Sequence, residues 1–134
     1  SLRVYGSINE GTETSAKEAY NWAAFAGYAH DWFSIGAEYN IIQNAGFVKG
    51  ADEYGLSVYG SARLSRVVNL FARYDKLMSK TDWNIARDED AMMAGAEFKV
   101  CKYVKIAPNV RMSIPTAPGT DNHYSAYVSC YFGL

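Results

Sequence analysis

Apolar and polar residues alternate along most of this 134-residue chain. Because successive side chains of a β-strand point to opposite faces, a period of two predicts strands, whereas a helix would scatter the same residues around its axis. No segment shows a helical period. The pattern predicts eight strands, at residues 2–9, 21–28, 33–41, 55–64, 68–75, 92–100, 103–114 and 124–134.

The connections between these strands alternate in length. Short turns are predicted at His30-Asp31, Ser65-Arg66 and Cys101-Lys102, and long polar connections at residues 10–19, 42–53, 78–90 and 115–123. In an up-and-down meander every long connection then leaves the same end of the sheet, and both termini lie at the other end. This asymmetry is typical of transmembrane barrels of the bacterial outer membrane.

Each predicted strand has one apolar and one polar face, and the alternation alone does not say which face is inside. The polar face is rich in Gly, Ser, Ala and Tyr, which fits a narrow interior filled by side chains. Aromatic residues lie near both ends of the apolar face, as amphipathic rings do at membrane interfaces. This candidate girdle comprises Tyr28, Trp32, Phe33 and Phe132 at the short-turn end, and Trp22, Tyr54 and Tyr124 at the long-loop end.

The composition excludes several other classes of protein. Thirteen Lys and Arg against fourteen Asp and Glu give a net charge of -1, so no field of one sign indicates a nucleic-acid binder. The longest uncharged apolar run falls short of the roughly 20 residues of a membrane helix. Ser1 begins almost inside a strand pattern, so we expect a mature form or an excised fragment without a signal peptide.

The two cysteines, Cys101 and Cys130, do not form a metal-binding pattern with the two histidines. We interpret them as two small buried or lipid-facing side chains rather than as a disulfide framework. No metal site and no cofactor is predicted. Pro108 falls in the middle of a predicted strand, where it removes a hydrogen-bond donor, so we expect a bulge or a locally unpaired stretch there.

Two segments resemble a known family. The runs VNLFARYDKL from Val68 and AGAEFKVCKYVKIAPNVRMS from Ala94, followed by a terminal alternating strand, resemble the C-terminal part of phosphate-selective porin O/P-like outer-membrane proteins. The resemblance covers roughly the last 80 residues and consists of a pattern without an invariant signature. It implies a barrel, monomeric or trimeric, of more than eight strands. This chain is about half as long, and Phe132 is followed by Gly133 and Leu134, where outer-membrane proteins usually end on an aromatic residue.

Nine charged residues are predicted to face the lumen. In a wide pore their cationic surplus would favour anions, whereas in an eight-stranded barrel they would form a structural network that fills the interior. We expect Arg73 and Asp75 to pair with Glu97 and Lys99 across a hairpin. The nine are Arg3, Glu38, Arg63, Arg73, Asp75, Glu97, Lys99, Lys105 and Arg111.

Two further motifs bear on possible chemistry. His123 and Ser125 resemble the His-x-Ser pair of outer-membrane lipid A deacylases, with Glu97 or Asp121 to orient the histidine. The following position holds Ala126, and we do not assign catalysis to the chain. The charge run 87–90 is interpreted as a solvated loop rather than a divalent-cation site, because its spacing matches no calcium loop.

The sequence therefore predicts one domain, residues 1–134, that forms an antiparallel up-and-down transmembrane β-barrel with eight strands in this chain. Two alternatives stay open, a complete eight-stranded barrel or the last eight strands of a larger one. The expected location is the outer membrane of a Gram-negative bacterium, with lipid and lipopolysaccharide as partners. The expected role is porin-like passage of small solutes, anions included, or envelope structure. The runner-up is a soluble up-and-down barrel that binds a small apolar ligand.

Overall fold

The computed structural model describes residues 1–11 and 15–133, and it contains eight β-strands in this part of the chain. Alternating, β-branched and aromatic residues favour the pleated conformation throughout. The strands are β1 (Leu2–Glu10), β2 (Glu18–Ala29), β3 (Phe33–Gln43), β4 (Glu53–Arg63), β5 (Val68–Ser79), β6 (Glu89–Cys101), β7 (Val104–Pro115) and β8 (His123–Phe132). Two single 3-10 turns, Ala45–Phe47 and Lys80–Asp82, lie in long connections. None of the helices described is long and apolar enough to cross a bilayer.

All eight strands form one antiparallel sheet in chain order. Each strand pairs with its neighbours in sequence, as the predicted meander requires. The sheet is open, because β1 and β8 are its two edges and no pairing joins them within the described ranges. The predicted strands and the up-and-down order are confirmed at this level.

The lengths of the connections alternate as predicted. The first, third, fifth and seventh connections are long, and the three between them are short. Residue 134, the last of the predicted eighth strand, and residues 12–14 of the first long connection lie outside the described residues. Because both the first and the last connection are long, the start of β1 and the end of β8 lie at the short-turn end of the sheet.

Pro108 interrupts the pairing between β6 and β7 without ending the strand. Pairing runs to Gly95 opposite Asn109 and resumes at Phe98 opposite Ile106. Proline has no N–H to donate, so the ladder is unpaired beside it. The locally unpaired stretch is confirmed at Pro108, while the register shift lies further along, between Lys99 and Cys101.

The register places every predicted apolar set on one face of the sheet. Directly paired residues share a face, so the face can be followed from strand to strand. The path from Leu2 passes Ala26, Ala37, Val58, Tyr74, Met92 and Met112 and arrives at Tyr124. The opposite face, called here the polar face, carries the residues between them.

The sheet has no conventional hydrophobic core. Among residues 1–11 and 15–133 no large side chain is fully buried, and the accessible surface is 9395 Å², against about 7000 Å² for a compact protein of this mass. The apolar face is the exposed one, with Leu2 and Phe132 each 78% accessible. Small residues of the polar face, such as Ala23 and Ala107, are buried. A single layer of this kind leaves its apolar surface to be covered by something else.

Candidate functional site

The polar face of the sheet brings the nine predicted charged residues to one side. Arg3, Glu38 and Asp75 lie in the same row across the strands, since Arg3 pairs with Phe25, Phe25 with Glu38, Glu38 with Ser57 and Ser57 with Asp75. Arg63 and Glu97 share another row through Asn69. Lys99 is directly opposite Lys105. The common face predicted by the alternation is therefore observed. The alternation does not specify which of these charged residues form ion pairs, and the hydrogen bonds give those partners.

Arg73 is the centre of the most connected group on this face. Its Nε donates to Asp75 Oδ2 at 2.7 Å and to Oδ1 at 2.9 Å. Ser57 donates to the same carboxylate at 2.5 Å, and the guanidinium lies 5.9 Å from the centre of the Tyr59 ring. Ser57 is not among the charged residues predicted from the sequence. Only the register, which places it opposite Asp75, could have identified it.

Aromatic rings lie over glycines on the polar face. Phe25 of β2 and Tyr59 of β4 stack with centroids 6.3 Å apart and planes inclined by 10°. They meet above Gly36 of β3, where an added Cβ would lie 2.9 Å from the Tyr59 ring and 3.1 Å from the Phe25 ring. A side chain at Gly36 would separate the rings, so the glycine allows contact between strands that are not neighbours.

The predicted pairing across the β5–β6 hairpin is wrong. Arg73 is opposite Met93, and Asp75 is opposite Ala91, whereas Glu97 lies further toward the short-turn end. Glu97 instead accepts a hydrogen bond from Lys105 Nζ at 3.0 Å. The exact register, which the alternation of the residues does not specify, decides these partners.

A hollow of about 620 Å³ opens on the polar face at the short-turn end. Glu97 and Lys105 contribute to its wall, together with Arg63, Arg66 and Lys99. In the part of the chain that the structure describes, these last three cations form no ion pair. Asp31 is the other carboxylate in the wall, so four cations against two carboxylates leave the hollow a positive surplus.

Arg111 forms a separate group near β8. Its Nε donates to Asn109 Oδ1 at 3.1 Å, and its guanidinium lies 4.6 Å from the centre of the Tyr127 ring. Asn109 is itself buried and donates to the carbonyl of Ala107. The guanidinium of Arg111 is thus held close to β7 and β8 and does not project away from the sheet.

The predicted girdle residues occupy two groups. At the short-turn end, Phe33 contacts Tyr28 and Trp32, with ring centroids 5.7 and 5.2 Å apart. At the long-loop end, Trp22 and Tyr54 share a row through Ile41. Tyr124 and Phe132 are widely exposed on the edge strand β8.

The apolar face contains a shallow hollow of about 1230 Å³ across β3 to β8. Its lining includes Ile35, Val58, Leu70, Met92, Val110 and Tyr124. The exposed apolar residues of β1, including Leu2 and Val4, lie outside it. An apolar ligand in the hollow would therefore cover only part of this face.

Among the described residues, no hydrogen bond joins His123 to Ser125 or to Asp121, the second acid predicted to orient it. His123 and Ser125 lie on the polar face opposite Ser113 and Arg111. Glu97 is six positions along β6 from Ala91, which shares the row of His123, and this separation is about 20 Å. Glu97 therefore cannot orient His123, and that suggestion was wrong.

The long connections form a packed cluster at the far end of the sheet. Lys80 N and Trp83 Nε1 both donate to the carbonyl of Asp52, each at 2.9 Å. Lys80 Nζ also reaches Asp52 Oδ2 at 3.1 Å, and this hydrogen bond raises the pKa of Lys80 above its usual 10.5. The cluster joins the connection between β3 and β4 to that between β5 and β6.

The charge run 87–90 is not a solvated loop. Asp88 is only 4% accessible, and it accepts a hydrogen bond from Ser79 Oγ at 2.7 Å. The carbonyl of Asp88 accepts from Thr116 N at 2.8 Å. Glu89 accepts from Ser113 at 2.5 Å, while Asp90 accepts from Lys76. The interpretation as a solvated run was wrong, because Asp88 and Asp90 accept hydrogen bonds from β5 and Glu89 accepts one from β7.

Within residues 1–11 and 15–133, no group of three or more His, Cys, Asp or Glu side chains could hold a metal ion. Cys101 and Cys130 are free and exposed. Neither thiol is therefore buried, and Cys130 lies on the apolar face, opposite Ile106.

No protein-family model, no curated protein and no solved structure matches this chain. The resemblance to the porin O/P-like family therefore remains a prediction from the sequence.

Proposed function

We propose that this chain is an outer-membrane β-barrel protein of a Gram-negative bacterium, with its apolar face against lipid and its polar face around a lumen. The observation that carries the proposal is the inverted exposure of the sheet. Large apolar side chains are exposed on all eight strands, whereas buried strand residues such as Ala23, Ala107 and Asn109 lie on the polar face. A bilayer would cover the whole apolar band at once.

The contacts on the polar face favour a structural role in the envelope. Arg73 is neutralised by Asp75, and Lys105 is neutralised by Glu97. The Phe25 and Tyr59 rings fill the space above the central strands. Side chains of this size fill the interior of a small barrel. The packed connections at the other end would then face outward, toward lipopolysaccharide.

Porin-like passage of small anions is the second candidate. It is favoured by the positive surplus of Arg63, Arg66 and Lys99 around the hollow at the short-turn end. A pore lined by such cations attracts anions. Steady conductance in planar bilayers, with a reversal potential set by the anion gradient, would support this candidate over the structural role.

A soluble barrel that binds an apolar ligand is the third candidate, and the hollow of about 1230 Å³ favours it. The hollow spans only β3 to β8, so Leu2 and Val4 would remain exposed after a ligand had bound. A bilayer would cover Leu2 and Val4, whereas a ligand in the hollow would leave them exposed to water.

Extraction of the protein from cells tests the proposal. We expect the protein in the membrane fraction, released only by detergent, and we expect its migration on gels to change after heating. A monodisperse protein that stays in solution without detergent would contradict the membrane proposal and support the ligand-binding one.

A further inference from the structure

The two edges of the sheet leave rows of backbone groups without partners. β8 contains no Lys, Arg, Asp, Glu or Pro, which are the residues that normally protect an edge from further pairing. In β1 the charged residues Arg3 and Glu10 lie near the two ends, with six uncharged residues between them. Edges of this composition accept another strand.

The directions and faces of the two edges match. Because eight strands alternate in direction, β1 and β8 run antiparallel to each other. Leu2, Val4 and Ile8 lie on the same face as Ala126, Val128 and Cys130, which the continuous register establishes. If the two strands paired, both faces would continue across the join.

The stagger of the strands determines which residues of β1 and β8 would lie opposite each other. The row that starts at Leu2 reaches Tyr124, and Phe132 lies eight positions further along β8. An offset of eight residues at 3.4 Å per residue, spread over eight strands spaced 4.8 Å apart, tilts each strand by about 35° from the barrel axis. Closed barrels have tilts of about 35–45°.

We propose that β1 and β8 of one chain pair with each other, with Leu2 opposite Phe132 and Val4 opposite Cys130, and close the sheet into an eight-stranded barrel. This register overlaps the whole of β1 with residues 124–132. On the polar face it places Tyr5 opposite Ser129 and Ser7 opposite Tyr127, so large residues meet small ones. The inference rests on the proposed membrane barrel.

The sizes of the side chains on the polar face support closure with eight strands. In β8 this face alternates small and large residues, as Ser125, Tyr127, Ser129 and Tyr131. In β4 it holds Tyr59 between Ser57 and Ser61. Alternation of small and large residues is how small barrels fill their interiors. A second copy of the chain would instead enclose a wide lumen that these side chains do not fill.

The cysteine of β8 allows a direct test. In a Cys101→Ser background, Val4→Cys is oxidised in detergent micelles, with Tyr5→Cys as the matched variant on the opposite face. We expect an intramolecular disulfide between Val4→Cys and Cys130, seen as a faster-migrating monomer on non-reducing gels, and none with Tyr5→Cys. A disulfide-linked dimer, or no disulfide in a protein that still shows heat-modifiable migration, would overturn the proposal.

A second measurement needs no substitution. Amide hydrogen exchange of the unmodified protein in micelles should protect β1 and β8 as well as the central strand β4. Rapid exchange in β1 with protection in β4 would overturn the closure while leaving the membrane proposal intact. Failure of the membrane proposal itself would be recognised separately, by solubility without detergent.

Discussion

The guanidinium of Arg73 is held by the carboxylate of Asp75, two positions along the same strand, with Nε 2.7 Å from Oδ2. Residues i and i+2 of a strand share a face, so this pair needs no neighbouring strand. Ser57 then ties the carboxylate to β4. The group therefore connects two strands on the polar face without using the predicted partners Glu97 and Lys99.

Replacing Asp75 tests this connection. Asp75→Asn removes the charged acceptor of Arg73 and of Ser57, and both groups are partly exposed. We expect the free energy of unfolding to fall by about 1 kcal/mol, the range of charge-assisted bonds that are partly open to water. Urea unfolding in micelles measures this loss for Asp75→Asn, for Arg73→Gln and for the double variant Arg73→Gln/Asp75→Asn. A double variant as unstable as the sum of both single variants would show that the two residues do not interact.

A charge on the two faces of β5 should have unequal effects. Leu70 lies on the apolar face, opposite Ala62 and Ala96. Leu70→Arg should cost about 1–3 kcal/mol in a bilayer, because the residue lies between the middle of the strand and its short-turn end. Folding into vesicles and urea titration measure this loss.

Asn69→Arg is the matched control. Asn69 lies between Glu97 and Arg63 on the polar side of the same strand, so the new cation would lie beside a carboxylate and another cation in a polar row instead of in lipid. We expect a change well below that of Leu70→Arg. Equal losses from the two substitutions would contradict the assignment of the faces.

Gly36 should be sensitive to a single methyl group. An alanine Cβ would lie within 2.9–3.1 Å of the Tyr59 and Phe25 rings. The rings must shift to accept it, and overpacking of this kind costs about 1–3 kcal/mol. The double variant Gly36→Ala/Tyr59→Leu should recover much of the loss, because the nearest ring is then absent. Additive losses in thermal unfolding would show that Tyr59 does not set the limit at Gly36.

The packed connections should loosen in alkaline solution. The hydrogen bond to Asp52 raises the pKa of Lys80 above 10.5. Because the folded-state pKa lies above the unfolded one, the contribution to stability is complete below about pH 10.4 and disappears as the pH rises through the folded-state pKa. Fluorescence of Trp83, in a variant with Trp22→Phe and Trp32→Phe, follows the change.

Lys80→Met provides the comparison for this titration. It lacks the titrating amine but keeps a long side chain, so the alkaline change should be smaller than in the parent. Identical titration curves for the parent and Lys80→Met would exclude Lys80 as the group responsible.

The alternation of residues predicted the strands because it is local. A strand such as β8 shows its two faces in its own residues, and the short turn before β3 is visible as His30-Asp31. The common face of Leu2 and Tyr124 also follows, since each strand must present its apolar set to the same environment.

The contacts between strands could not be predicted in the same way. A shift of two positions in register leaves both faces unchanged, yet it determines whether Glu97 meets Arg73 or Lys105. The contact of Phe25 with Tyr59 depends on Gly36 in the strand between them. Asp88 is bonded to Ser79, the last residue of β5, and to Thr116, in the connection after β7, and these two residues are far apart in sequence.

Accessibility of two adjacent positions in β4 tests most directly the claim that the apolar face lies against lipid. Val58 and Ser57 lie near the middle of the strand, on opposite faces. In a Cys101→Ser/Cys130→Ser background, Val58→Cys and Ser57→Cys are reconstituted into vesicles and treated with a bilayer-embedded quencher after labelling with an environment-sensitive fluorophore. The account predicts blue-shifted, strongly quenched emission at position 58 and weak quenching at position 57. Weak quenching at 58, equal to that at 57, would contradict it.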